Sequence, residues 1–203
     1  MSFVGNARRP EGLGGKLMVS VMNLGHRPLA AWGMRELPVP ETAAVLDCGC
    51  GGGANIRARV ERCPRGTVRG IDVSPVSVEK ARQVNAGTIR AGRCEILLAG
   101  ADRLPFGDGS FDLATAFETV YFWPGLEGCF REVARVLRPG GRFFICNECG
   151  GGAQGAAWAR AVEGMTVYSE SQLRAALTAA SLGVESVRTN KQGWIALLAQ
   201  KER

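Results

Sequence analysis

The sequence predicts an α/β protein built on a doubly wound, mostly parallel sheet of seven strands. Three observations carry that expectation. From residue 44 almost to the C-terminus, short apolar runs alternate with segments whose apolar residues recur at helical spacing. The first run contains Asp47 and passes into Gly49, Gly51 and Gly53 at alternate positions, and an amphipathic segment begins at once. Helix punctuation then falls between the runs, with Ser74-Pro75 as a start and Arg138-Pro139-Gly140-Gly141 as a stop. Strand, tight turn and helix in series make βαβ crossovers, and these stack into a parallel sheet covered on both faces.

Taken in order, strands are expected at 44–48, 67–72, 94–98, 111–117 and 142–147, with helices at 53–62, 75–86 and 126–137. Ser169-x-x-Gln172 is a capping box that opens a helix over 170–181. Two apolar stretches, 184–190 and 193–200, flank Lys191-Gln192 and form a closing hairpin, which places an antiparallel strand at the C-terminal end of the sheet. Residues 149–167, rich in glycine, read as a short flexible insertion. At the N-terminus, Leu13 to Asn23 reads as a short apolar helix, Gly25-His26-Arg27-Pro28 interrupts it, and a second helix covers Leu29 to Leu37.

The chain of 203 residues shows no Ser/Pro linker and no internal repeat, so it reads as one domain over 1–203, with 1–40 as an N-terminal helical segment and 41–203 as the core. Net charge is +6, carried mostly by arginines scattered along helical patterns; these read as solvated faces, and no dense basic-aromatic patch points to nucleic acid. No run reaches the ~20 apolar residues of a membrane span. Arg8 and Arg9 are not followed by the apolar core of a secretory signal. Seven cysteines without such a signal read as reduced thiols in the cytoplasm. Cys48-x-Cys50 and Cys146-x-x-Cys149 recruit no histidine, so burial is the expectation and no metal site is assigned.

The glycine turn lets the chain bend sharply and lets a ligand approach bare backbone near a helix N-terminus. Its letters also fit a dinucleotide fingerprint, Gly49-x-Gly51-x-x-Ala54. Asp72 closes the next apolar run, where a carboxylate at the neighbouring strand tip grips a ribose diol; nicotinamide enzymes share that feature.

Four stretches together separate the readings: Val45-Leu46-Asp47-Cys48-Gly49-Cys50-Gly51-Gly52-Gly53, then Gly70-Ile71-Asp72-Val73-Ser74, then Ala101-Asp102-Arg103-Leu104-Pro105-Phe106 running on to Ser110-Phe111-Asp112, and finally Arg131-Glu132-Val133-Ala134-Arg135-Val136-Leu137-Arg138-Pro139-Gly140-Gly141. With them the chain resembles the class I S-adenosylmethionine (SAM)-dependent methyltransferases, in particular the small "type 11" group that includes quinone-biosynthesis enzymes. The likeness runs from about Ala44 to Gly141 and more loosely beyond. It implies a Rossmann-like sheet with a terminal antiparallel strand and an N-terminal segment that closes over the pocket as a lid.

The resemblance also implies site roles. Gly49, Gly51 and Gly53 supply the loop beside the amino-acid part of SAM, and Asp47 orients that loop or the cofactor ammonium. Asp72 binds the ribose hydroxyls, Asp102 accepts from the adenine amino group, Ala101 donates its N–H to the ring, and Val73 and Leu104 flank it. The product is S-adenosylhomocysteine (SAH). Beyond the fourth strand, Glu118 is placed to touch the cofactor or draw a proton, and Tyr121 and Trp123 to wall the acceptor; Asn147 and Glu148 offer a second polar pair, and His26 is a candidate base.

A [DN]-P-P-[YF] motif and a Pro-Cys dipeptide, expected of enzymes acting on nucleic-acid bases, are absent, since Glu118-Thr119-Val120-Tyr121 stands at the first position. A small-molecule acceptor follows, with N, O, S and C acceptors all open. RNA or protein methylation, a nicotinamide oxidoreductase and a non-catalytic SAM-binding partner protein are the alternatives. The sequence leaves monomer and homodimer open.

Overall fold

The computed structural model describes residue 25 and residues 27–202. The apolar segment Leu13 to Asn23 and His26 lie outside the described residues. The elements, in chain order, are α1 (Arg27–Glu36), β1 (Ala44–Cys48), α2 (Ala54–Arg62), β2 (Thr67–Asp72), α3 (Pro75–Val84), α4 (Ala86–Arg90), β3 (Cys94–Leu98), β4 (Phe111–Phe117), α5 (Leu126–Val136), β5 (Leu137–Asn147), α6 (Gly152–Ala161), α7 (Glu170–Ala179), β6 (Leu182–Thr189) and β7 (Ile195–Lys201). A 3₁₀ turn, Val120–Phe122, follows β4.

The seven strands lie in the order β3-β2-β1-β4-β5-β7-β6. Strands β1 to β5 are mutually parallel, and β7 runs antiparallel between β5 and β6. Strand order reverses between β1 and β4, which opens a crevice beyond their carboxyl ends. Alternation along β1 sends Leu46 and Cys48 to one face and Val45 to the other. The first face packs on α5 and α7, through Phe130, Val133, Leu173 and Leu177. The second packs on α1, α2 and α3, through Leu29, Met34, Ile56, Val60 and Val78. Gly33 of α1 has no room for a side chain, because a Cβ there would stand 2.6 Å from Cys146 Sγ and 2.8 Å from Phe117. That close approach seats α1 on the sheet face near the tips of β4 and β5.

Local signals act as expected at most boundaries. Ser74 caps α3 by accepting from the Ser77 N–H at 3.2 Å, with Pro75 next in line. Ser169 and Gln172 form the reciprocal capping box of α7. Three boundaries differ. Helix α3 stops at Val84, and α4 continues separately after Asn85. Arg138-Pro139-Gly140-Gly141 ends α5 but belongs to β5, where it bulges: Phe111 pairs with Leu137 and Leu113 already with Arg142. The 149–167 insertion contains a ten-residue helix, α6, because Ala156, Ala157, Trp158, Ala159 and Arg160 propagate a helix once Gly151 and Gly152 have turned the chain at positive φ.

Candidate functional site at the strand tips

Among the described residues, seven polar or charged ones are buried: Asp47, Arg59, Ser74, Ser77, Asn85, Thr115 and Asn147. All lie on strands around the switch point or on the helices and turns that leave them. Elsewhere the core is apolar, so this concentration marks where the fold spends its polar groups.

The glycine turn fixes three different constraints. All three alternate glycines have positive φ, 83° at Gly49, 52° at Gly51 and 81° at Gly53. At Gly49 a Cβ would collide with Thr119 Oγ1 and stand 2.7 Å from Thr119 Cβ, so the turn lies flush against the segment after β4. At Gly53 a Cβ would meet Asn85 and Ala81 of the α3 layer at 2.6–2.9 Å. At Gly51 a Cβ would meet nothing within 4 Å. Gly51 is thus the open side of the turn. The N–H groups, by contrast, turn inward: Gly49 and Cys50 both donate to Ile71 O at 2.9 Å, and Gly51 donates to Asp72 Oδ2 at 2.9 Å. The sequence suggested bare backbone open to a ligand near a helix N-terminus, and the structure offers a smooth edge with its amides turned inward and a carboxylate beside it. Helix α2 begins directly behind this edge without a side-chain cap.

Asp72 is half-buried, and each oxygen accepts one backbone bond, Oδ2 from Gly51 and Oδ1 from Ser74 at 2.9 Å. Burial pushes its pKa up, and these two bonds oppose the shift. Next to it, Val73 is 46% exposed and Leu98, at the tip of β3, is 55% exposed. These are two of the few large apolar side chains left on the surface, and they flank the Gly100-Ala101-Asp102 turn. Asp102 is exposed and folds back over Gly100, whose missing Cβ makes the room; Ala101 and Leu104 are buried. Leu104 is held by its N–H, which donates to Glu132 Oε2 at 3.0 Å.

Asp47 points away from this edge. It is 1% exposed, with Oδ2 accepting from Arg59 at 3.0 Å and Oδ1 from Thr115 at 2.9 Å. Burial raises its pKa, against Arg59 and Thr115, which lower it. Arg59 is fully buried, and its guanidinium also lies over the Phe117 ring, 4.8 Å from the centroid. The sequence placed Arg59 among solvated arginines. Its signal was position: it shares the apolar stripe of α2 with Ile56, Val60 and Cys63. Asn85, missed for the same reason, donates to Gly53 O at 3.0 Å and ties α3 to the glycine turn.

Beyond β4, Glu118 holds a left-handed backbone, φ 58°, uncommon for a residue with a side chain. Its N–H donates to Cys146 O at 3.0 Å. Its Oε1 accepts from the backbone N–H of Glu148 and from the Tyr121 hydroxyl at 3.2 Å. Burial pushes its pKa up to about 8. Tyr121 is buried; its hydroxyl accepts from Cys149 N–H at 3.1 Å, and its own pKa is pushed up by burial and by Glu118. Trp123 is in the core, stacked on Phe143 and edge-on to Phe130, with Nε1 donating to Thr119 Oγ1 at 3.1 Å. Asn147 is 1% exposed, and neither amide atom has a partner among the described residues. Glu118, Tyr121 and Glu148 therefore form one bonded group, Asn147 sits at the tip of β5, and Trp123 supports the turn from beneath. No group of three metal-ligating side chains occurs among the described residues.

Residues 46–145 match the family model described as a methyltransferase domain. That stretch is a SAM-dependent methyltransferase domain. Methyltransferase GfsG of Streptomyces halstedii is 39% identical over 127 residues, 59% of this chain and 45% of that protein. Cycloartenol-C-24-methyltransferase 1 of Oryza sativa subsp. japonica is 30% identical over 114 residues, 56% of this chain and 33% of that protein. The chain thus spans less than half the length of these curated relatives. A chain of the complex between the Haloferax volcanii Trm112 methyltransferase activator and a methyltransferase superposes with a TM-score of 0.83 at 22% identity, covering 93% of this chain and 94% of that one; the likeness is one of fold. SAM is the methyl donor of the family.

Proposed function

We propose that this chain transfers the methyl group of SAM to a small-molecule nucleophile. One observation carries the reading: Gly51, the one of the three alternate glycines with open space where a Cβ would stand, lies against Asp72, whose two oxygens are aimed by backbone bonds. A smooth edge beside an oriented carboxylate accommodates a ribose without steric penalty. Val73 and Leu98 give apolar surface for the adenine, with Ala101, Asp102 and Leu104 on its far side. Gly49 and Gly53 hold the turn's shape, and Asp47 acts through Arg59 and α2, as a positioning residue. Bound SAM supplies a methyl on a cationic sulfur, already activated for in-line displacement. Glu118 then faces the reacting end, where its raised pKa lets the carboxylate take a proton near neutral pH. Tyr121 and Glu148 fix its rotamer, and Asn147 offers an unused donor and acceptor to the acceptor molecule.

A small acceptor is supported by the charge distribution, since arginines 57, 65, 69, 131, 135, 138, 142 and 174 are each paired with a nearby carboxylate rather than gathered into a patch. Residues 41–203 act as the catalytic core and the preceding segment as its cover. Seven free, buried cysteines fit the reducing cytoplasm.

Calorimetry with SAM and SAH tests the reading. Asp72→Asn keeps the side-chain shape but loses a charged acceptor, so both ligands should bind about 10- to 100-fold more weakly. Unchanged affinity in the variant, or no heat with the wild-type protein at millimolar ligand, refutes it.

A further inference from the structure

Glu118 is a half-buried carboxyl with no cation beside it among the described residues. Among the described residues, every titratable group that faces it is itself an acid: Tyr121 from the turn after β4, Glu148 beyond β5, and Cys146 on β5, whose thiol is pushed up by burial and then by Glu118. Cys149 adds only its backbone, through Tyr121. The nearest buried guanidinium, Arg59, is committed to Asp47 and the Phe117 ring. Both hydrogen bonds to the Glu118 carboxyl fall on Oε1, and Oε2 accepts none from the described residues. The bond to Cys146 O holds the backbone in the left-handed region, and the two bonds to Oε1 hold the carboxyl at the β4–β5 junction. Partial burial, with Glu148 as a like-charged neighbour, disfavours the charged form while no cation is present.

We propose that Glu118 is a proton-exchanging counter-ion for the sulfonium: Oε2 carries a proton in the free protein and beside the neutral product, and releases it to solvent when the cationic donor is seated. This rests on the methyltransferase reading above. The proton balance closes over a turnover. The carboxylate left beside the sulfonium takes the proton of the acceptor as the S–CH₃ bond breaks and the bond from acceptor to methyl forms. The sulfur loses its charge, the acid is re-formed, and two neutral groups remain. The next donor molecule then drives that proton out to solvent. Glu118 in this way distinguishes donor from product by charge alone, favouring exchange of SAH for SAM.

The test is calorimetric titration with SAM and with SAH at pH 7, in buffers of different ionisation enthalpy. With Glu118 titrating near pH 8, SAM should release about 0.9 proton more than SAH; taking the difference cancels the amino and carboxyl groups the two ligands share. SAM affinity should rise close to tenfold from pH 6 to pH 7 while SAH stays flat. In Glu118→Gln the SAM-linked release should vanish and the SAM-to-SAH preference should fall. Equal proton counts for the two ligands in the wild-type protein overturn the inference, as does release that persists in Glu118→Gln. The wild-type comparison decides the matter even if the variant does not fold. SAM binding without excess proton release overturns this inference alone, whereas absence of binding by both ligands overturns the methyltransferase reading with it.

Discussion

Replacing Arg59 with methionine removes a guanidinium that is wholly enclosed between α2, β1 and α1. Methionine fills much of the same volume, so the main loss is charge. Asp47 is left with the Thr115 hydroxyl as its remaining side-chain partner, inside a layer of Val45, Phe117 and Cys146. Breaking a buried ion pair from one side costs about 3–5 kcal/mol. In a domain of this size that corresponds to a fall in Tm of about 6–20 °C. The loss depends on pH. Burial raises the Asp47 pKa and Arg59 is the larger of the two influences that lower it, so its removal raises the folded-state value further. A carboxyl raised in the folded state contributes stability below its unfolded pKa and loses it as pH climbs through the folded value. The deficit of Arg59→Met should therefore be smallest near pH 4 and grow toward pH 8, and adding Asp47→Asn should flatten that dependence. Arg57→Met, on the exposed face of the same helix and paired with Glu61 at 3.4 Å, is the control and should cost little. Thermal melts over pH 4–8 make the comparison. An Arg59→Met protein that melts like the control, or whose deficit is independent of pH, refutes the reasoning.

Two further expectations concern the site. Gly49→Ala and Gly51→Ala both place a side chain at positive φ, which costs about 1–2 kcal/mol. Only Gly49→Ala also meets Thr119, so it should melt lower than Gly51→Ala, while Gly51→Ala should lose more SAM affinity per degree of Tm, as read by melts and titration side by side. Tyr121→Phe removes the acceptor of the buried Cys149 N–H and should cost about 1–3 kcal/mol in denaturant unfolding, with SAH affinity within about twofold of wild type.

The first four strands were legible in the sequence because their information is local. Val45-Leu46, Val68, Ile71, Ile96 and Leu113 make short apolar runs bounded by turn residues, and burial on both faces of the sheet demands nothing more. The same holds for Ser74-Pro75 and for Ser169 with Gln172, where cap and partner are within three residues. Helix α6 was hidden by the glycines ahead of it, which read as loop even though the residues after them favour a helix.

What the sequence determined by itself is therefore the family and the line of strand tips, since glycines at alternate positions and the acids Asp72 and Asp102 follow from constraints on adjacent backbone. Only the tertiary structure decided where long side chains end. Arg59 reaches across to Asp47, Trp123 drops between Phe130 and Phe143, and Glu118 is bonded to Glu148 and Tyr121. Each depends on elements distant in the chain meeting at one place. Charge, burial and the pKa that follows from them are properties of that meeting, and no single stretch of residues contains it.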